Sequence, residues 1–277
     1  MARDESLDSL RELLLKYKAG DFLRKKLGEN AFRSAEPGEM SSMAIRIGLF
    51  GYTGAGKSSF VNSVAKALVD RDYLPAVTQT GGGEGTIALE TFFHDYGFRL
   101  VDTRGFMSME SWEEKELFAI LYGSLSDCDI IERGEGQPAY GPGGCNVQKG
   151  PLSEQVHVVL WFVKATDVRL DQDSYTMKTE FIRKHLFTLG VNIIPLITFS
   201  DKMDLAKKES LTSKAKELCD PSVRKSQEPY FITNYTPENS QNYEKSHQES
   251  VLRAIKEAIY QGERSLRSRQ IKRSFKK

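Results

Sequence analysis

The chain is poor in cysteine and has no surplus of charge of either sign. Cys128, Cys145 and Cys219 form an odd, widely spaced set without a C-x-x-C pair. That argues against a disulfide framework and a zinc site, and for reduced thiols in a soluble, cytoplasmic protein. The 39 basic and 38 acidic residues leave a formal charge of +1, so no overall field recruits nucleic acid. No apolar run reaches membrane-spanning length, and the N-terminus has no signal-peptide core. His94, His157, His185 and His247 are scattered without metal-ligand spacing, which leaves them ordinary core or surface roles.

What is present is one dense motif. Gly51-Tyr52-Thr53-Gly54-Ala55-Gly56-Lys57-Ser58 fits the phosphate loop G-x-x-x-x-G-K-[ST] at every fixed position. Glycines let the backbone fold back without a Cβ clash, so that successive N–H groups face the α- and β-phosphates at a helix N-terminus. The expected cradle is Gly51, Thr53, Gly54, Ala55, Gly56, Lys57, Ser58 and Ser59, with Lys57 reaching the β/γ-phosphates and Ser58 ligating Mg²⁺. The context agrees: residues 44–50 read as a buried strand, and residues 59–69 repeat their apolar positions at helical spacing.

The remaining chain supplies a sheet. Residues 4–27 predict one leader helix, capped by Asp4 or Ser6, with Leu7, Leu10, Leu14 and Tyr17 on one side. After the loop 73–85, strands at 87–94 and 98–101 form a hairpin around Asp95-Tyr96-Gly97. The Gly- and Pro-crowded excursion 106–155 contains a helix near 112–121. Strands at 156–163, 191–199 and 230–233 alternate with helices, the last two helices near 209–219 and 242–261. The fold class expected is therefore α/β: a three-layer arrangement with helices on both faces of a mostly parallel six-stranded sheet that has one antiparallel edge strand. Residues 1–40 are leader and linker, 41–262 the main domain with its 106–155 insertion, and 263–277 a basic tail. That tail, with Leu266, Ile271 and Phe275 interspersed, reads as a solvated helix end rather than a contact with anionic membrane.

Two further elements complete a nucleotide site. Asp102-Thr103-Arg104-Gly105 is a D-x-x-G element at a strand's C-terminal end, where ligands of α/β sheets bind. There Asp102 would hold Mg²⁺ through water and the N–H of Gly105 would sense the γ-phosphate. Asp201-Lys202-Met203-Asp204 directly follows the strand at 191–199. Asp204 accepting from guanine's N1–H and exocyclic amine would select guanine, because adenine would leave the carboxylate unpaired at a cost of about 1–3 kcal/mol. Lys202 would lay its stem along the purine. Asp201 stands where N/T-K-x-D has Asn or Thr, and a carboxylate cannot donate to N7. Asn234, after the last strand, sits where a backbone N–H would meet guanine O6.

In this order the motifs resemble the GTPase superfamily from about residue 45 to 260. Gly54-Ala55-Gly56-Lys57-Ser58-Ser59-Phe60-Val61-Asn62-Ser63-Val64, Ile120-Leu121-Tyr122-Gly123, Pro151-Leu152-Ser153-Glu154-Gln155-Val156-His157 and Asn234-Tyr235 are similar to the interferon-induced protein 44 family. The resemblance implies a P-loop G domain binding GTP/GDP and Mg²⁺ in innate immunity. It also implies a switch threonine as metal ligand, for which Thr86, followed by Ile87, is better placed than Thr78 or Thr80. Lys57, Thr86 and Gly105 would then act on the γ-phosphate.

Ras-like enzymes orient the attacking water with a glutamine just after D-x-x-G; here that residue is Phe106. Unassisted turnover is therefore expected to be no faster than roughly 10⁻⁴ s⁻¹. Arg104 reads as a surface arginine, and Thr53, at a position that is glycine in Ras-like proteins, would crowd an arginine supplied in trans. A slow GTPase switch with an effector or a nucleotide-dependent homodimer, a non-hydrolysing scaffold, and an ATP-binding module are the three readings, in that order.

Overall fold

The structure is a computed structural model that describes residues 5–28, 40, 42–69, 74–78, 88–106, 111–129, 149–171, 173–219 and 228–274. Six strands form one sheet: β1 (Ile45–Gly51), β2 (Glu90–Phe92), β3 (Phe98–Asp102), β4 (Val158–Lys164), β5 (Asn192–Thr198) and β6 (Tyr230–Ile232). Their order is β2-β3-β1-β4-β5-β6, parallel throughout except the β2 edge, which runs antiparallel with Glu90 opposite Asp102 and Phe92 opposite Leu100. The expected architecture is thus the observed one. β1 lies between β3 and β4, so every residue of it is buried.

Side-chain alternation divides the interior into two layers. Ile45, Ile47 and Leu49 of β1, with Val158, Leu160 and Phe162 of β4, pack on α3 (Lys57–Val69) and α7 (Lys245–Ser274). Val159, Trp161 and Val163 face the opposite layer, built from α4 (Ser111–Leu121), α5 (Asp173–Leu189) and α6 (Leu205–Cys219). Gly190, at φ +70°, ends α5 as a left-handed cap. Among the described residues, no helix is long and apolar enough to cross a membrane.

The leader departs from expectation. It forms two helices, α1 (Leu7–Leu15), capped by Ser6, and α2 (Asp21–Leu27), separated at Gly20 with φ +100°. The cause is tertiary: the buried Glu263 carboxylate on α7 accepts from Tyr17 Oη at 2.7 Å, Gly20 N at 2.7 Å and Leu23 N at 2.8 Å. Burial raises the Glu263 pKa, and these donors oppose the shift. Glu263→Ala would strand those donors, and a loss of about 1–3 kcal/mol is expected. Limited proteolysis within residues 16–24 should quicken in step with the lower unfolding midpoint. Arg11 ties α1 to both helices of its layer, donating to Ala67 O at the end of α3 (2.6 Å) and to Gln248 Oε1 on α7 (2.7 Å).

Two further boundaries move. α6 begins at Leu205 rather than near 209, because Asp204 caps it: Oδ1 accepts from Lys207 N at 2.8 Å. The last helix, expected to end near 261, runs on through the basic stretch: α7 continues to Ser274 with Leu266 fully buried. Arg269 there donates to Gln155 Oε1 (3.2 Å) and Val156 O (3.1 Å). The strand expected at 87–94 reduces to Glu90–Phe92.

Candidate functional site

Every motif converges on the carboxyl edge of the sheet. The phosphate loop leaves β1 and turns through Gly54 (φ +75°) and Gly56 (φ +85°), conformations that side chains with a Cβ rarely adopt. α3 starts at Lys57, so its first N–H groups face the loop. Lys57 is buried, its ammonium 3.4 Å from Gly51 O and 3.5 Å from Tyr52 O, arched back over the loop it serves. Ala55 is buried within the turn, and Ser59 lies in the first turn of α3, its carbonyl accepting from Ser63 Oγ at 2.8 Å.

Ser58 Oγ donates to Asp102 Oδ2 at 2.5 Å, across from the end of β3. A hydroxyl and a carboxylate are hard oxygen donors, and their meeting beside the phosphate loop fits Mg²⁺. Among the described residues no group of three His, Cys, Asp or Glu forms a metal cluster. Thr86 lies outside the described residues.

The D-x-x-G segment is stitched to the phosphate loop through backbone. Phe106 N donates to Gly51 O (3.1 Å), Thr53 N donates to Phe106 O (2.9 Å), and Thr53 Oγ1 donates to the same carbonyl (3.3 Å). Gly105 lies so near that a Cβ there would stand 2.5 Å from Thr53 Cα. Arg104 is buried rather than on the surface as expected. Tyr52 carries the Arg169 guanidinium 4.0 Å from its ring centroid, and Arg169 is held by Asp167 through bonds of 2.6 and 2.8 Å. Burial raises the Tyr52 pKa, and Arg169 works against that shift.

On the other flank, Asn234 Nδ2 donates to Gly56 O at 2.9 Å, and its own carbonyl accepts from Asn239 Nδ2 at 2.7 Å. Asp201, Lys202 and Asp204 are exposed. Asp204 Oδ1 serves α6, but each carboxylate oxygen has two lone pairs, so the cap does not by itself remove its capacity to accept.

Residues 46–133 match the family described as 50S ribosome-binding GTPase. That stretch of the chain is similar to a GTPase domain. Over 224 residues it is 28% identical to interferon-induced protein 44 of Homo sapiens, covering 74% of this chain and 47% of that protein. Over 207 residues it is 28% identical to the Pan troglodytes protein of the same name, covering 68% and 44%. The chain therefore spans about half the length of these relatives. Among solved structures, the septin GTPase domain from Chlamydomonas reinhardtii superposes with a TM-score of 0.44 at 11% identity, covering 82% of this chain and 96% of that one.

Around this site, sequence reasoning missed Thr198 and Arg169. Thr198 Oγ1, fully buried, donates to Ala55 O at 2.8 Å and so ties the end of β5 to the phosphate loop. A hydroxyl closing an apolar strand was the only signal, and it reads equally as a strand end. The Phe106 ring is buried in a stack between Phe50 (6.2 Å) and Trp161 (6.0 Å).

Proposed function

We propose that this chain binds GTP and GDP with Mg²⁺ and hydrolyses GTP slowly, the nucleotide state acting as a switch. The observation that carries the reading is the meeting of Lys57, Ser58 and Asp102 at the mouth of a glycine-turned loop on the sheet's carboxyl edge. Ser58 and Asp102 would hold the ion, with Thr86 as the proposed third contact; Mg²⁺ bound there neutralises charge on the β- and γ-phosphates. The N–H groups of Gly54, Ala55, Gly56, Lys57, Ser58 and Ser59 cradle the phosphates, Gly105 N–H meets the γ-phosphate, and Asp204, Lys202 and the Asn234 loop take the base. Likeness to interferon-induced protein 44 supports a place in innate immunity for the chain, and the switch reading requires an effector or a second copy that distinguishes the two states.

Thermal shift with GDP, GTPγS and ATP, each with Mg²⁺, tests binding. Stabilisation by both guanine nucleotides exceeding that by ATP is expected, and Lys57→Ala should weaken GDP at least tenfold, the equivalent of one charge-assisted hydrogen bond. A Lys57→Ala protein with wild-type affinity would overturn the assignment. A second reading, a nucleotide-bound scaffold without turnover, is favoured by the burial of Phe106, which leaves no water-orienting side chain at that position. Phosphate release measured without partners separates the two. The switch reading expects a rate of about 10⁻⁴ s⁻¹ or lower but above the no-enzyme control, and the scaffold reading expects none.

A further inference from the structure

The structure assigns Phe199 as the platform on which the nucleotide base stacks, an inference that rests on the phosphate-loop reading above. Phe199 follows β5 with φ 57° and ψ 40°, the left-handed region. For a bulky side chain that conformation is a genuine outlier, costing on the order of 1–2 kcal/mol, and it persists only where its surroundings dictate it. Those surroundings are the nucleotide loops. On one side Thr198 Oγ1 donates to Ala55 O of the phosphate loop. On the other, Ser200 Oγ and Thr233 Oγ1, of the loop before Asn234, share a hydrogen bond of 2.8 Å, and Lys202 N donates to Phe199 O at 3.1 Å. The backbone is thus pinned at both ends with its side chain turned out of the strand's alternation.

The ring reaches the phosphate loop itself: a Cβ added to Gly56 would stand 3.8 Å from Phe199 Cε2. One side packs against the second core layer, yet the residue stays half-buried. The ammonium groups of Lys164 and Lys202 lie 5.0 and 5.3 Å from its centroid. Both cations are drawn to the ring's electron-rich face, and a base arriving there would take the place of a mobile lysine end. A purine laid on such a face gains an offset stack while its phosphates extend toward Gly56 and Lys57. Stacking accepts every base, since each has a π-face. Phe199 therefore supplies affinity for the base, and hydrogen bonding by Asp204 is left to supply preference among bases.

The test titrates GDP, ADP and tripolyphosphate, each with Mg²⁺, into the full chain and its Phe199→Ala and Phe199→Trp variants. Phe199→Ala should weaken GDP and ADP by a common factor of about 5- to 150-fold, the range expected for one base–aromatic stack. Tripolyphosphate, which has no base, should bind all three proteins alike, and Phe199→Trp should keep GDP within about threefold of wild type. A Phe199→Ala protein that holds GDP as well as wild type overturns the platform. So does one that loses tripolyphosphate to the same degree, which would make the ring a support for the loop. Wild-type protein that binds neither GDP nor tripolyphosphate overturns the phosphate-loop reading itself, and the platform with it.

Discussion

Phe106→Ala lowers the unfolding free energy by about 3–5 kcal/mol, the cost of emptying a well-packed aromatic site. The ring is 2% exposed, lies nearly parallel to Phe50 (14° between planes) and Trp161 (21°), and fills the layer beneath α4 with Leu117 and Ile120. Loss of aromatic stacking adds to loss of buried area. A fall in the denaturant midpoint at unchanged m-value is the measurement; a midpoint shift worth less than about 1 kcal/mol would mean that the stack contributes little. The glutamine variant discriminates further. Phe106→Gln places a carboxamide among apolar rings, where an unmatched polar group costs about 1–3 kcal/mol. It should therefore destabilise the fold and leave GTP turnover no faster than wild type. Acceleration would mean instead that the position faces the reacting phosphate once nucleotide is bound. The two outcomes separate a residue chosen for packing from one that merely fails at catalysis.

Acid should unfold the protein through His157. Its Nδ1 accepts from Arg46 N–H (3.0 Å), so the proton sits on Nε2, which donates to Leu152 O (2.8 Å). The ring is fully buried. Burial pushes its pKa down to about 3, with the neighbouring charges of Arg269 and Arg46 acting in the same direction. In the unfolded chain the value returns to about 6.5. Below that pH the unfolded state binds a proton that the folded state refuses, so stability falls as pH drops from 6.5 toward 3. The slope approaches about 1.4 kcal/mol per pH unit, giving about 2 kcal/mol lost by pH 5 and about 4–5 kcal/mol over the whole window. Carboxylates titrate in part of that range, so the difference between wild type and His157→Gln isolates the histidine. The variant should be less stable near neutrality and lose less on acidification between pH 6.5 and 5. Parallel curves in that interval would show that His157 is not held neutral.

The two predictions mark where the sequence was legible and where it was not. The phosphate loop, the D-x-x-G element and the strands that carry them could be read because their residues are bound by local rules. A glycine that must turn, a run buried on both faces and an aspartate at a strand's end each leave a pattern within a few positions. Phe106 was read only for its inability to orient water, whereas its place in the core depends on Trp161, 55 positions away. His157 was placed among ordinary histidines, and nothing nearby in sequence announces that Arg46 N–H will fix its tautomer. The leader was read as one helix because apolar spacing runs through Tyr17, whereas the break is imposed by Glu263 from the far end of the chain. Asp204 was read for a base, and its capping role, which moves the start of α6, was hidden behind that reading. The C-terminal helix was cut short because its composition turns basic, although Leu266 still finds the core. Local signals were legible; partners supplied by tertiary folding were not.

The bond from Asn234 to the carbonyl of Gly56 joins positions 178 apart in the chain. Its consequence concerns synthesis: a nascent chain that has already exposed every phosphate-gripping residue still lacks this clasp until the segment beyond β6 has emerged. A product terminated before that segment would carry the motif without its brace.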